Sequence, residues 1–309
     1  MQALSWGRRT LVMGIVNCTP DSFSGDGLTE ARAAIARGIR LVEEGADVLD
    51  VGGESTRPGA TPVSDETELQ RVLPVLEGLA ARVDVPLSID TSKATVAAAA
   101  LAAGATIVND VWALARDPQL GALAARRGAT VVLMHNRPAR AASGPLGGYY
   151  LPAPLPGGPG PARGNPGRDD GQGATERAEG GDVVDVVELV GAGLEDRVAA
   201  AVAAGIPRQR LIVDPGIGFG KTVEQNLVLL RRLGELKARP ALRGLPLLVG
   251  TSRKSVVGLT LNLPVEERLE GTLATLALAI AQGADMVRVH DVRAAVRCCR
   301  MADAIMRGA

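Results

Sequence analysis

Eight short apolar runs recur along this chain of 309 residues, and polar residues follow each of them. A continuous apolar run suits a parallel strand that is buried on both faces. The first run begins at Leu11 and breaks at Asn17, and the others cover 47–53, 86–91, 106–111, 130–135, 211–216, 245–251 and 285–290. This repetition restricts the chain to folds that contain a large parallel sheet.

Alanine-rich amphipathic stretches lie between the runs and predict helices. Examples cover 31–44, 94–103, 199–204 and 271–281, and Gly-Ala pairs precede several strands, at 45–46, 104–105, 128–129 and 283–284. A glycine followed by a short loop is typical of a helix C-terminus. Eight strand–helix units in one chain predict a (β/α)8 TIM barrel. An open doubly wound sheet is the alternative, because periodicity alone does not distinguish the two.

The composition agrees with an ordinary enzyme barrel. Hydrophobic residues make up 46% and aromatic residues only 2%, so the core must consist mainly of Val, Leu, Ile and Ala. The 34 basic and 34 acidic residues cancel, which argues against a nucleic-acid or membrane-surface partner. No apolar run reaches ~18 residues and the first ten residues lack a signal-peptide core, so we expect a cytoplasmic protein.

Cysteine and histidine usage limits the possible chemistry. Three cysteines do not make a secreted disulfide framework, and two histidines argue against a multi-histidine zinc site. Cys18 lies beside Asn17 and could be a nucleophile, but no histidine partner lies near it in the sequence.

One region does not fit the barrel pattern. Residues 137–181 are rich in Pro and Gly and could not bury a core, so we predict a flexible insertion after the fifth strand. Without these 45 residues the chain has an ordinary barrel length, which is ~250 residues. We therefore expect a single domain over 1–309. A helical pattern resumes at 182–190, with Asp182 as a possible N-cap.

In a barrel the chemistry lies at the C-terminal ends of the strands. The polar residues at these ends are Asn17, Thr56, Arg57, Asp90, Asn109, His135, Asp214, Ser252, Arg253, Lys254, Arg288 and His290. Carboxylates within apolar strands need strong donors, and a flat heterocycle with two parallel N–H groups would supply them. The cations predict an anionic substrate, often a phosphate.

Two of these predictions leave a choice, those for Asp90 and for the segment 216–222. Asp90 could instead be a structural residue that caps the next helix. Asn17 offers a carbonyl oxygen that suits Mg2+ carried by a diphosphate. The segment 216–222 resembles a phosphate-binding P-loop, but residue 215 is proline where that motif needs glycine. We interpret the segment as a close-approach loop with Phe219 projecting into the site.

Together these motifs resemble the dihydropteroate synthase family over nearly the whole chain, apart from the insertion. The matching stretches are Met13-Gly-Ile-Val-Asn-Cys-Thr-Pro-Asp-Ser-Phe-Ser24, Asp50-Val-Gly-Gly-Glu-Ser-Thr-Arg-Pro-Gly59, Ser88-Ile-Asp-Thr91, Val108-Asn-Asp110, Leu133-Met-His135, Asp214-Pro-Gly-Ile-Gly-Phe-Gly-Lys221, Ser252-Arg-Lys-Ser255 and Arg288-Val-His290. The family comprises transferases that condense 6-hydroxymethyl-7,8-dihydropterin diphosphate with 4-aminobenzoate in folate synthesis. The products are 7,8-dihydropteroate and diphosphate.

The resemblance also implies roles for individual residues. It assigns the pterin to Asp90, Asn109, Asp214 and Lys254, the diphosphate with its Mg2+ to Asn17, Arg57, Arg288 and His290, and the aminobenzoate to Phe23, Thr56, Pro58, Phe219 and Ser255. Ser252 counts among the substrate-binding residues, and Arg57, Lys254, His290 and Asp214 are the candidate catalytic residues. The resemblance further implies a homodimer, and we expect sulfonamides to compete with aminobenzoate.

Two departures and two alternatives accompany the resemblance. Asn136-Arg-Pro-Ala139 differs from the loop of many relatives, and Cys18 occupies a position where we expect an aliphatic residue.

The alternative enzyme is a pterin-binding methyltransferase domain, but such domains lack the Thr-Pro-Asp-Ser-Phe and Ser-Thr-Arg-Pro loops. The other alternative is a non-catalytic pterin-binding homologue. Loss of Arg57, Lys254 or His290 would favour it, and all three are present.

Overall fold

The computed structural model describes residues 4–18, 27–55, 62–137, 175–177 and 183–308. The strands of its main sheet are β1 (Leu11–Asn17), β2 (Val48–Gly52), β3 (Leu87–Asp90), β4 (Ile107–Asp110), β5 (Thr130–Met134), β8 (Leu211–Asp214), β9 (Leu248–Val249) and β10 (Met286–Val289). Helices connect them: α1 (Gly27–Glu43), α2 (Asp65–Ala80), α3 (Ala94–Ala102), α4 (Pro118–Arg127), α5 (Val186–Ala203), α6 (Val223–Arg231), α7 (Leu233–Ala238), α8 (Ser255–Leu261), α9 (Leu269–Ala281) and α10 (Val292–Arg307).

The eight parallel strands close into a barrel. Their order is β8-β5-β4-β3-β2-β1-β10-β9, and a parallel bridge between Val213 and Leu247 joins the two outer strands. The amide of Val213 also donates to the carbonyl oxygen of Pro246 at 3.0 Å. The predicted (β/α)8 barrel is therefore confirmed, and the open doubly wound sheet is wrong for this chain.

The strands bury both of their faces, as their continuous apolar runs predicted. Alternate side chains point outwards and pack under the helices, where they form the larger core with residues such as Val51, Ile89 and Leu133. The remaining side chains point into the barrel and form a smaller apolar layer of Leu11, Met13, Val48, Ile107, Val132, Ile212, Leu248 and Met286. Leu4 and Trp6 pack against this inner layer.

The helix ends follow the sequence signals. Gly128 ends α4 with φ of 62°, a left-handed conformation that glycine adopts without a steric cost. Asp117 begins the same helix, and its side chain accepts a hydrogen bond from the amide of Gln119 at 2.9 Å. These two caps fix where α4 begins and ends.

The region after β5 corrects one prediction. The predicted helix from residue 182 begins instead at Val186, because Asp185 is its N-cap and accepts from the amide of Val187 at 2.9 Å. The preceding residues form β7 (Val183–Asp185), which pairs antiparallel with β6 (Thr175–Arg177). Asp182 and 138–174 lie outside the described residues, so the flexible insertion stays a prediction. Among the described helices, none has the length and apolar character needed to cross a membrane.

Candidate active site

The two-residue period of the strands places a polar layer directly above the inner apolar layer. Asp50 follows Val48, Asn109 follows Ile107, Asp214 follows Ile212 and Arg288 follows Met286, each pair two residues apart on one strand. The register pairs Asp90 with Asn109 and with Gly52, which in turn pairs with Asn17. The C-terminal mouth of the barrel is thus lined with carboxylates, amides and a guanidinium.

Arg288 is the centre of this layer. Its Nε donates to Oδ2 of Asp50 at 2.6 Å, and its Nη2 donates to Oδ2 of Asp90 at 2.7 Å. Asn109 donates to the same Asp50 oxygen at 2.9 Å. Because α3 has no side-chain cap and the Asp90 carboxylate faces Arg288, the helix-capping alternative for Asp90 is wrong.

Asp50 was not among the predicted site residues. It lies inside β2 rather than at the strand end, where site residues were expected. The two-residue period of the strand could have identified it. Asp50 follows Val48 by two residues, so its fully buried carboxylate shares the inner face of the barrel with Val48. Asp50 belongs to the site because it holds both Arg288 and Asn109.

The electrostatics of this group favour an occupant with donors. Burial raises the pKa of Asp90 to about 7; the charge of Arg288 opposes this shift and that of Asp50 adds to it. Burial would lower the pKa of Arg288, but the charges of Asp50 and Asp90 raise it above its ordinary value. Within the described part of the chain, Oδ1 of Asp50 and Oδ1 of Asp90 are buried without a hydrogen-bond partner. Each of these oxygens can accept a hydrogen bond from an N–H or O–H donor of a bound molecule or of water.

Asp214 lies across the barrel mouth on β8. Its side chain is buried and accepts a hydrogen bond from the amide of Gly216 at 2.7 Å. Burial raises its pKa, and the charge of Lys254 opposes that rise. Gly216 has φ of 67°, and a Cβ atom there would collide with the carbonyl oxygen of His135. This close approach requires glycine and brings the loop onto β5.

The loop after β8 is built around a buried lysine. Lys221 donates to the carbonyl oxygens of His135, Gly216 and Phe219 at 3.2, 2.9 and 3.0 Å. Burial lowers its pKa to about 7. Lys221 therefore supports the loop and does not bind phosphate as a P-loop lysine would, which agrees with the close-approach interpretation. The sequence search did not identify this role.

Lys254 and Phe219 form one side of the mouth. The Nζ of Lys254 lies 4.5 Å from the centroid of the Phe219 ring and donates to the carbonyl oxygen of Ile217 at 2.5 Å. Burial lowers the pKa of Lys254 to about 8, although the nearby Asp214 acts to raise it. The half-buried Ser255 follows Lys254 and begins α8. These residues bring a cation and an aromatic face together.

His290 is oriented by Ser252. The Ser252 hydroxyl lies 2.9 Å from Nδ1 of His290 and accepts from the His290 amide at 3.1 Å. Arg253 lies between two predicted site residues but binds the carboxylate of Asp291 through two hydrogen bonds of 2.9 and 2.6 Å. Asp291 neutralises Arg253 at the surface, and a contact between Arg253 and an anionic substrate stays a prediction.

Other predicted residues have different outcomes. Burial lowers the pKa of His135 to about 3, so its imidazole is neutral. Burial raises the pKa of the Cys18 thiol to about 12, which keeps it protonated and argues against a nucleophile. Asn17 is half-buried at the end of β1. Phe23, Thr56, Arg57 and Pro58 lie outside the described residues.

The donor set allows only a limited metal site. Across residues 4–18, 27–55, 62–137, 175–177 and 183–308, no three His, Cys, Asp or Glu side chains gather as a metal-binding group. Mg2+ commonly binds through one or two protein oxygens together with substrate phosphates. The Asn17 carbonyl oxygen at the barrel mouth fits that second kind of site.

The barrel and the buried polar layer at its C-terminal mouth are typical of an α/β-barrel enzyme that acts on a small molecule. A sequence profile of pterin binding enzymes matches residues 13–290. Dihydropteroate synthase of Bacillus subtilis is 39% identical over 305 residues, which cover 98% of this chain and 91% of that protein.

Solved structures agree with this match. A dihydropteroate synthase from Clostridium difficile, determined in the presence of pteroic acid, superposes with a TM-score of 0.81 at 39% identity and covers 99% of this chain and 100% of its own. The Xanthomonas albilineans enzyme with 4-aminobenzoic acid gives a TM-score of 0.77 at 42% identity, with coverage of 97% and 94%. The chain belongs to the pterin-binding enzyme family and, within it, to the dihydropteroate synthases, which are transferases.

Proposed function

We propose that the buried polar layer binds the pterin ring of 6-hydroxymethyl-7,8-dihydropterin diphosphate. The observation that carries this proposal is the buried Oδ1 of Asp90, which lies beside Asn109 and has no hydrogen-bond partner among the described residues. The Asp214 carboxylate lies across the mouth. A pterin edge offers adjacent N–H donors and an acceptor, which match two carboxylates and an amide. Lys254 completes the pocket as a donor beside Asp214.

The diphosphate then lies at the rim of the same mouth. The side chain of Arg288 is 22% exposed. His290 lies two residues after Arg288 and is hydrogen-bonded to Ser252. Together with Arg57, these cations would bind the diphosphate, and Asn17 would hold Mg2+ through its carbonyl oxygen. Mg2+ supplies charge neutralisation of the departing diphosphate.

The chemistry follows from this arrangement. The bond between the pterin methylene carbon and the diphosphate oxygen breaks, and both electrons leave with the diphosphate. The positive charge left on the pterin is stabilised by the carboxylates of Asp90, Asp214 and Asp50. The aminobenzoate nitrogen forms the new C–N bond and releases a proton to solvent. Because the aniline attacks a cation, the step needs no dedicated general base.

The aminobenzoate would bind between Phe219 and Ser255, with Phe23, Thr56 and Pro58 completing its site. Support comes from the half-buried Phe219 ring beside Lys254 and from the similar Xanthomonas albilineans enzyme with 4-aminobenzoic acid. A sulfonamide has the same aniline ring with a sulfonyl group in place of the carboxylate. We expect sulfonamides to raise the KM for aminobenzoate without changing kcat, and inhibition indifferent to aminobenzoate concentration would contradict this.

A homodimer is proposed on the exposed apolar surface of the last two helices. Leu278 on α9 and Met301 and Ile305 on α10 are 62%, 63% and 68% exposed, and the two helices pack against each other. A second copy packed on these two helices would remove the three side chains from water. Sedimentation of Ile305→Glu should give a monomer if a second copy covers it. Cytoplasmic location also stays a prediction, to be tested by cell fractionation.

The central experiment measures the condensation directly. The protein is incubated with the pterin diphosphate, 4-aminobenzoate and Mg2+, and dihydropteroate and released diphosphate are quantified. We expect equal amounts of both products and none when aminobenzoate is omitted. Pterin binding without diphosphate release would support the non-catalytic alternative.

A further inference from the structure

Lys93 makes three hydrogen bonds with a single ammonium group. Its Nζ donates to Oε2 of Glu54 at 2.5 Å, to the carbonyl oxygen of Val63 at 2.7 Å and to Oε2 of Glu68 at 2.6 Å. The Lys93 and Glu54 side chains are 13% and 14% exposed, and that of Glu68 is 1% exposed. All three protons of the ammonium therefore have a partner.

The partners of Lys93 lie at the two ends of the connection between β2 and α2. Glu54 follows β2 and Val63 precedes α2. These two residues are therefore the ends of the 54–63 connection, which contains Arg57 in its sequence. Lys93 lies three residues after Asp90, immediately before α3. One side chain thus attaches both ends of this connection to the strand that carries a pterin-site carboxylate.

Neighbouring contacts attach the same connection less directly. Arg71 on α2 donates to the carbonyl oxygen of Gly53 at 2.8 Å, and Nη1 of Arg116 lies 3.6 Å from Oε1 of Glu54. Neither reaches the far end at Val63 in a described contact. Burial acts to lower the pKa of Lys93, but its hydrogen bonds to Glu54 and Glu68 raise it, so the ammonium stays charged at neutral pH.

We propose that Lys93 is a positioning residue for the synthase reaction, which fixes both ends of the 54–63 connection relative to β3. It acts on the step that depends on Arg57 and leaves pterin binding to Asp90, Asn109 and Asp214. The inference rests on the proposed function, because it assumes that Arg57 assists the diphosphate. Lys93 itself does not contact substrate, since its three donors are already used.

The test compares three variants. Glu54→Gln weakens one end of the connection but keeps the buried Lys93–Glu68 pair, so the fold should be preserved. The double variant Lys93→Met/Glu68→Gln removes the anchor without leaving a buried carboxylate unpaired. Lys237→Met is the matched control, because Lys237 also donates to a carboxylate and a carbonyl, Asp285 at 2.6 Å and Gly283 at 2.8 Å, at the opposite end of the barrel.

Three measurements separate positioning from general destabilisation: kcat for the condensation, Kd for 6-hydroxymethylpterin, and hydrogen exchange of the peptide 52–66. We expect kcat to fall roughly tenfold in Glu54→Gln and roughly a hundredfold in the double variant, as for a misplaced catalytic group. Pterin Kd should stay within about twofold, since its binding groups are untouched. Exchange in 52–66 should accelerate, and Lys237→Met should match the parent in all three.

The outcomes are distinct. Unchanged kcat and exchange in both site variants, or a pterin Kd that weakens as much as kcat falls, would overturn the proposal. If the parent protein does not condense the substrates, the proposed function fails. Exchange in 52–66 still decides whether Lys93 anchors the connection.

Discussion

The Nε of Arg288 lies 2.6 Å from Oδ2 of Asp50, and this carboxylate has no exposed surface. The two residues are on β10 and β2, with β1 between them, so the bond spans the interior of the barrel. Asn109 donates to the same oxygen from β4. Asp50 therefore sets the position of two side chains that are proposed to bind substrate, although it was not predicted as a site residue.

Replacing Asp50 with asparagine tests this organising role. Asp50→Asn keeps the shape of the side chain but removes the charge that Arg288 binds. A charged hydrogen bond contributes about 1.5–3 kcal/mol, so kcat/KM for the pterin diphosphate should fall at least tenfold. Glu235→Gln is a matched control, because Glu235 binds Arg232 through two bonds of 2.7 Å at the surface. Equal activities of the two variants would contradict the role of Asp50.

Asp214→Asn tests the pterin contact on the opposite side of the mouth. The amide oxygen of asparagine preserves the bond from Gly216, which is 2.7 Å long, so the loop should keep its conformation. Replacing one anionic acceptor with an amide should weaken pterin binding by at least tenfold, because a charged hydrogen bond is worth about 1.5–3 kcal/mol. Calorimetric titration with 6-hydroxymethylpterin measures the change. An unaltered Kd in folded protein would exclude Asp214 from the pterin site.

The pH dependence should be bell-shaped. Burial raises the pKa of Asp90 to about 7 and lowers that of Lys254 to about 8. The Asp90 carboxylate forms as pH rises through 7, and the Lys254 ammonium is lost as pH rises through 8. If both charged forms are required, kcat/KM is greatest between these values. If kcat/KM stays constant from pH 6 to pH 9, the reaction does not depend on the ionisation of Asp90 or Lys254.

The acid limb of that profile offers a second measurement. The charge of Asp50 acts to raise the pKa of Asp90, whereas Arg288 lowers it. In Asp50→Asn the first influence disappears and Arg288 is free to bind Asp90 alone. We therefore expect the acid limb of kcat/KM to move to lower pH in this variant, and a shift to higher pH would contradict the coupling.

Lys221→Met tests the structural role of the buried lysine. Three carbonyl oxygens, of His135, Gly216 and Phe219, would lose their donor. We expect the free energy of unfolding to fall by about 2–4 kcal/mol at neutral pH, measured by urea denaturation. Arg300, an exposed cation on α10, provides the control Arg300→Met with stability close to the parent. Stability unchanged in Lys221→Met would show that the loop does not depend on this ammonium.

The effect of Lys221→Met on the free energy of unfolding should also depend on pH. The pKa of Lys221 is lowered to about 7 in the folded protein, whereas in the unfolded chain it is ~10.4. Between these values the unfolded chain binds more protons, so Lys221 makes the parent more stable as pH rises. The difference between parent and Lys221→Met should therefore widen from pH 7 to pH 9. A difference that narrows over this interval would contradict the lowered pKa.

The sequence by itself determined the barrel and the composition of its mouth. The two-residue period of a strand is a local property, so eight apolar runs with polar ends were enough to place Asn109, Asp214 and Arg288 at one end of a parallel sheet. The motifs around them were also enough to identify the family. Each of these conclusions depends on residues that are close together in the chain.

Only the tertiary structure decided which of these side chains meet. Arg288 binds Asp50 and Asp90 across 238 and 198 residues of sequence, and no local pattern contains that pairing. Likewise, Lys93 reaches both ends of the connection before α2, whereas Arg253 turns to Asp291 at the surface. Such partners are set when the barrel closes, because only closure fixes the distances and desolvation that select one charge over another.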